Sequence, residues 1–192
     1  MNENYICDDC IKKLKDKKYF RTMKNIFFLY NYDRDIKKLI TDYKFRDRKY
    51  LSLFIAELIG KELKKVIDDK KIDIVIPVPS DRERIISRGF NQVSLILDVL
   101  GIKYKDIERN KKTKAMHSLH DKNLRSLNIK SAFKIDFETA EKNILIFDDI
   151  ITTGSTVSEI IKEIEINGKP QNIYVFSICV ASSFYKTELF LS

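Results

Sequence analysis

Two adjacent carboxylates, Asp148 and Asp149, stand between four apolar residues, Ile144 to Phe147, and a hydroxyl-and-glycine cluster, Thr152-Thr153-Gly154-Ser155-Thr156. The acids can accept hydrogen bonds from sugar hydroxyls. The cluster behind them offers hydroxyl donors, and its glycine lets the backbone come close to an anion. Acids suited to ribose O2 and O3, followed at once by a loop suited to phosphate, make a layout for a sugar with a 5-phosphate and free hydroxyls. A capped strand–turn–helix with solvated acids is the other reading of the same segment.

Those residues need elements to position them. Ile144–Phe147 is a continuous apolar run of strand length, as expected of a parallel strand covered on both faces. Val157, Ile160, Ile161 and Ile164 follow at i, i+3, i+4 and i+7 and predict a helix. Thr156 and Glu159 have capping-box spacing, which sets the helix start near Thr156, and Gly168 with Pro170 marks its end. The loop from Ile150 to Ser155 therefore lies where a strand hands over to a helix, where free N–H groups and the helix dipole favour phosphate.

A second anion site is predicted upstream. Ile72–Val78 reads as a buried strand that ends at Pro77-Val78-Pro79. The loop Ser80–Arg88 carries Arg82, Arg84 and Arg88, whose guanidinium forks suit pyrophosphate; a solvated basic turn is the alternative. After Gly89-Phe90-Asn91-Gln92, a helix is predicted with Val93, Ile96, Leu97 and Leu100 on one face. Asn172–Ala181 is a third strand. Asp33–Asp69 reads as two helices interrupted at Phe45–Arg48, with Leu51, Phe54, Ile55, Leu58, Leu63, Val66 and Ile67 on one face. The strand–helix–strand order predicts an α/β fold, a parallel sheet flanked by helices on both sides.

The segment Arg109–Lys130 is long, basic and without period, which suits either a lid that closes over a phosphorylated ligand or a solvated loop. Its two histidines, His117 and His120, are assigned no catalysis. Residues 1–30 read as an appendage and 31–192 as the main domain. The appendage carries Cys7-Asp8-Asp9-Cys10 and the basic stretch Lys12–Lys24. Cys7 and Cys10 can supply two zinc thiolates, but a closed zinc site needs four ligands, and Cys179, His117 and His120 lie in unrelated contexts. Half a zinc site and a free dithiol both stay open.

The chain has 192 residues, 44% hydrophobic, enough for one α/β domain and a small addition. A net charge of +8 favours phosphate-rich partners: a pyrophosphorylated sugar, a nucleotide, or single-stranded nucleic acid. Trp is absent, so stacking on a base would fall to Tyr or Phe, such as Phe90. Met1–Ile6 hold no apolar leader, and no run nears the roughly 18 residues of a membrane span. With three cysteines a disulfide framework is not expected, and a cytoplasmic location without membrane insertion is.

The segment Ile144–Thr156 resembles the motif of type I phosphoribosyltransferases that binds phosphoribosyl pyrophosphate (PRPP). That resemblance implies that Asp148 and Asp149 hold the ribose hydroxyls and that Thr152, Thr153, Gly154, Ser155 and Thr156 hold the 5-phosphate. More widely, Cys7-x-x-Cys10, Tyr30-Asn31-Tyr32, Lys44-Phe45, Pro77-Val78-Pro79, Arg88-Gly89-Phe90-Asn91-Gln92, Arg125-x-x-Asn128 and Ala132-Phe133 occur in this order. Together they resemble the ComF family of competence-associated, phosphoribosyltransferase-like proteins, over nearly the whole chain. The resemblance implies a type I phosphoribosyltransferase fold and Mg²⁺-dependent PRPP binding, with phosphoribosyl transfer to an acceptor and release of pyrophosphate. It also implies a link to DNA uptake and a helicase-like partner for the N-terminal segment. The alternative is a non-catalytic nucleotide- or single-stranded-DNA-binding module of the same machinery. Two departures stand out. Family members commonly carry two N-terminal CxxC knuckles that form one zinc site, and only the second is recognisable here. Many have a glutamine three residues after a lid threonine, where this chain has Met116 after Thr113.

Overall fold

The computed structural model describes residues 6–45, 49–80, 89–109 and 133–186. The first element is α1 (Asp8–Lys17), with Asp8 and Asp9 in its first turn and Lys15 and Lys17 in its last, each sign matching the helix dipole. Then come β1 (Arg21–Met23), β2 (Ile26–Asn31), α2 (Arg34–Phe45), α3 (Leu51–Asp69), β3 (Ile74–Pro77) and α4 (Gln92–Leu100). The short strands β4 (Glu108–Arg109) and β5 (Phe133–Lys134) precede β6 (Asn143–Ile151), α5 (Ser155–Asn167), β7 (Asn172–Val180) and a 3-10 turn, Phe184–Lys186.

Five strands form one sheet in the order β1-β2-β7-β6-β3. β1 pairs antiparallel with β2, and every other pairing is parallel. β6 is hydrogen-bonded on both sides, with Phe147 level with Pro77 on β3 and with Phe176 on β7. Such a strand must be apolar on both faces, and Ile144 to Phe147 are fully buried. Leu145, Phe147 and Phe176 face Ile40, Ile55, Ile59, Leu63, Ile96 and Leu97 of α2, α3 and α4. Ile144, Ile146 and Val175 face Val157, Ile160 and Ile164 of α5. The expected α/β class, a mostly parallel sheet with helices on both faces, is the one observed.

Two features differ from the sequence expectation. β1 and β2 lie within the 1–30 segment read as an appendage, yet β2 is an interior strand of the sheet, paired with β7 from Ile26 to Asn31. Its run Ile26–Tyr30 is buried throughout, which is the signature of a covered strand rather than of a basic arm. The capping box at Thr156 and Glu159 does not form: α5 begins one residue earlier, at Ser155, after Gly154 at φ 79° with no side-chain cap. The left-handed glycine turns the chain there, and the hydroxyls of Thr153 and Ser155 lie 3.1 Å apart and bond each other.

Gly168 ends α5, as its position predicts, in extended rather than left-handed backbone. Its requirement is space, because a Cβ there would come within 2.6 Å of Thr139 Oγ1 and 3.0 Å of the Ala140 nitrogen. Gly168→Ala should therefore cost about 1–3 kcal/mol by overpacking. Urea denaturation of the two proteins measures this, and equal midpoints would show that the Thr139–Ala140 turn yields freely.

Candidate functional site

The connections of two neighbouring strands leave the sheet in opposite directions. From β3 the chain passes to α4, on the α2–α3 face, whereas from β6 it passes to α5, on the other face. β3 and β6 are adjacent and parallel. Their C-terminal ends therefore form a topological switch point, the position where open parallel sheets bind ligands. The end of β6 carries Asp148 and Asp149 to it.

Both acids are buried, Asp148 at 9% exposure and Asp149 at 5%. Asp149 lies under an ammonium: Lys44 Nζ, from the last turn of α2, is 2.9 Å from its Oδ1 and 2.8 Å from its Oδ2. Asp148 accepts a hydrogen bond from the Asp149 backbone N–H at 2.8 Å. Burial, reinforced by the charge of Asp149 and opposed by Lys44, pushes the Asp148 carboxyl up to about 7. At neutral pH the pair thus offers one group that can donate or accept and one that is ion-paired.

Beyond the acids, Thr152, Thr153 and Ser155 are exposed, Thr156 is partly so, and Gly154 is buried beneath them. The loop is anchored by Ser183, whose hydroxyl donates to the Thr152 carbonyl at 2.9 Å, and by the Ala181 N–H on the Ile151 carbonyl. The first N–H groups of α5, a helix of 13 residues, open behind these hydroxyls. The acids and the hydroxyl loop expected from sequence are thus brought to one strand end.

Arg82, Arg84 and Arg88 lie outside the described residues, as do His117, His120 and most of the predicted lid. The boundaries of both loops are described. Ser80 Oγ lies 3.1 Å from Asn91 Oδ1 and 3.2 Å from Gln92 Oε1, and Asn91 Oδ1 caps α4 by accepting from the Val93 N–H. The lid segment leaves and returns through the β4–β5 ladder, where the Arg109 guanidinium sits 5.8 Å from the centre of the Phe133 ring.

No family model matches the chain. It is 29% identical over 150 residues to the competence protein ComFC of Streptococcus pneumoniae, covering 78% of this chain and 66% of that one. It is 25% identical over 185 residues to ComFC of Bacillus subtilis, covering 90% of this chain and 71% of that one. The DNA utilization protein YhgH of Escherichia coli K12 is 28% identical over 158 residues, 78% of this chain and 69% of that one. These relatives support a ComF family assignment for the chain. The chain spans about two thirds of the length of the first of these relatives. Among solved structures, adenine phosphoribosyltransferase of Saccharomyces cerevisiae in complex with an imino-altritol bisphosphate and adenine is similar at 17% identity and a TM-score of 0.49, over 97% of this chain and 96% of that one. A purine phosphoribosyltransferase of Pyrococcus horikoshii is similar at 17% identity and a TM-score of 0.40, over 68% and 84%.

In this chain the cysteine pair stands apart from the acids. Cys7 and Cys10 begin α1 with their sulfurs 2.9 Å apart, beside a cleft of about 620 Å³ that α1 and α2 line with Lys13, Arg34 and Lys38. The Cys10 thiol, hydrogen-bonded to Cys7, holds Cys7 below the usual thiol range. Among the described residues no group of three or more His, Cys, Asp or Glu could hold a metal. Cys179 is buried in β7 with its thiol on the Asp149 carbonyl at 3.4 Å. The described residues therefore do not fit a closed four-ligand zinc site. No helix among them is long and apolar enough to cross a membrane.

Sequence reasoning did not single out Lys44, the cation that pairs with Asp149. It appears in the family motif Lys44-Phe45, but nothing local says that it meets an acid 105 positions away.

Asp148 also makes stability depend on pH. Its carboxyl is raised from 3.8 to about 7, so between those values the folded chain keeps a proton that the unfolded chain has released. Stability therefore falls as pH rises through that window. Asp148→Asn removes the penalty and keeps an oxygen for the Asp149 N–H. Near pH 8 the variant should be more stable than wild type by on the order of 2–4 kcal/mol, with little gain near pH 4. Urea titrations at both pH values check this, and a gain of the same size at each would refute the linkage.

Proposed function

We propose that this ComF chain binds PRPP and transfers its phosphoribosyl group to an acceptor with release of pyrophosphate, in the service of DNA uptake. The observation that carries this reading is the junction at the end of β6, where two buried acids run directly into exposed hydroxyls at a helix N-terminus, at the switch point between β3 and β6. The names of the relatives, competence protein and DNA utilization protein, support the cellular role.

In this reading the 5-phosphate sits on Thr152, Thr153, Gly154, Ser155 and Thr156, held by hydroxyls, backbone N–H groups and the α5 dipole. Asp149 accepts from one ribose hydroxyl, and Asp148, titrating about 7, exchanges a hydrogen bond with the other. As the bond from ribose C1 to pyrophosphate lengthens, positive charge grows on the ring, and buried carboxylates already in place favour that charge. Arg82, Arg84 and Arg88 are proposed for the pyrophosphate, next to the β3 end. Mg²⁺ would enter with PRPP and would supply neutralisation of the leaving group's charge. Carboxylate oxygens are donors that Mg²⁺ prefers, and Asp148 and Asp149 would hold it directly or through its waters.

Isothermal titration of PRPP with Mg²⁺ tests the binding. Saturable heat should appear with wild type and vanish in an Asp148→Ala/Asp149→Ala double variant; a folded wild type that takes up no PRPP would end the proposal. Where an acceptor supports turnover, Asp149→Asn should lower it by on the order of 10²-fold, with a smaller effect on nucleotide binding. Unchanged turnover would remove Asp149 from the ribose.

A second reading, a single-stranded-DNA-binding module, draws on the arm between Lys12 and Lys24. Its basic residues surround Tyr19, 66% exposed, and Phe20, and the Arg21 guanidinium lies 5.2 Å from the centre of the Tyr19 ring. Exposed rings beside cations suit base stacking on a phosphate backbone. Binding of an oligodeoxythymidine should then weaken steeply with added salt and be reduced by Tyr19→Ala. A salt-insensitive interaction would count against it.

A further inference from the structure

Lys44 is left without a task by the mechanism above. Its ammonium spans both oxygens of Asp149, the carboxylate that PRPP would need. The helix end that carries it is held in place, because the neighbouring Tyr43 is fully buried and its hydroxyl donates to the Gln92 carbonyl at 2.8 Å. The last turn of α2 thus touches both sides of the switch point: β6 through Lys44 and the β3–α4 junction through Tyr43. The acid side chain is nearly buried, at 7% exposure, whereas the lysine side chain is 20% exposed on a flexible four-carbon stem. Of the two partners, the lysine is the one free to move.

We propose, on the basis of the phosphoribosyl reading, that Lys44 is a partner-exchanging residue that couples ribose recognition to pyrophosphate recognition. In the empty site it neutralises Asp149, which would otherwise be a buried carboxylate beside a second acid. Ribose hydroxyls are donors and compete with the ammonium for the same carboxylate lone pairs. A pyrophosphate arriving at the same switch point offers more negative charge than Asp149 does. The ammonium then turns from Asp149 to the pyrophosphate oxygens, and the vacated carboxylate takes the ribose. A ligand that brings only the ribose must displace the lysine with nothing to receive it, so the site favours sugars that carry the leaving group.

The test is calorimetric titration of wild type, Lys44→Met and Lys44→Arg with three probes: PRPP with Mg²⁺, inorganic pyrophosphate with Mg²⁺, and ribose 5-phosphate. Lys44→Met should weaken PRPP and pyrophosphate by roughly tenfold or more, the size expected for a lost charge-assisted hydrogen bond. Ribose 5-phosphate should bind equally well or tighter, because Asp149 has been released. Lys44→Arg should recover part of the pyrophosphate affinity. A parallel loss for PRPP and ribose 5-phosphate would make Lys44 a fixed structural bridge and overturn the exchange, as would no change with any probe. Should Lys44→Met not fold, the comparison of Asp149→Asn with Lys44→Gln/Asp149→Asn replaces it, and pyrophosphate binding must fall in the double variant. Wild type that binds none of the three probes overturns the phosphoribosyl reading and this inference together, whereas wild-type binding without the selective loss overturns the exchange alone.

Discussion

The pairing of β6 with neighbours on both sides organises this molecule. A strand with parallel partners at each edge has its backbone groups consumed in the sheet, so its side chains must be covered from both faces. The helices α2, α3 and α4 cover one face and α5 the other. Because the chain leaves β3 toward one layer and β6 toward the other, the two connections part at the C-terminal edge. The switch point follows from this division of helices and requires no dedicated loop.

Burial then sets the electrostatics of what that strand delivers. Two neighbouring carboxylates at the end of a covered strand are costly, since each loses water and each repels the other. The protein meets the cost in two ways. Asp149 receives the ammonium of Lys44, and Asp148 is shifted toward the protonated form. A chain selected for stability alone would place apolar residues there, as it does at Ile144 to Phe147. Local rules are relaxed in the same place. Gly154 is in the left-handed region, α5 lacks a side-chain cap, and the buried Gln92 Nε2 has no partner among the described residues.

The N-terminal segment joins this frame more closely than its composition suggests. β2 is an interior strand, and Tyr19 bonds through its N–H to the Leu29 carbonyl, so α1 is laid against the sheet. Lys17 reaches Asp33 at 2.6 Å and pairs with Asp35, both near the start of α2. The helix that bears the cysteine pair is thereby fastened to the helix that bears Lys44.

Much of the site was legible in the amino-acid order because its parts are neighbours in the chain. The apolar run, the two acids, the hydroxyl loop and the periodic helix lie within Ile144–Ile164, and the spacing of each is a local property. The strand at Ile72–Val78, the helix after Asn91 and the α/β class follow from the same periodicities. What stayed hidden depended on contacts between distant segments. β2 carries the apolar run Ile26–Tyr30 but follows a basic stretch that masked it, and its pairing with β7 shows it to be core. The capping box at Thr156 and Glu159 is a valid local pattern that lost to a glycine turn at Gly154, two residues earlier. Lys44 is one lysine among many until the fold sets it against an acid 105 residues away. Residue types and spacing determined which chemistry this chain carries, because hydrogen-bonding capacity and periodicity belong to the chain itself. Which cation answers the acids, and on which side of the sheet, was decided by tertiary structure alone, because charge pairing depends on distance in space and not along the sequence.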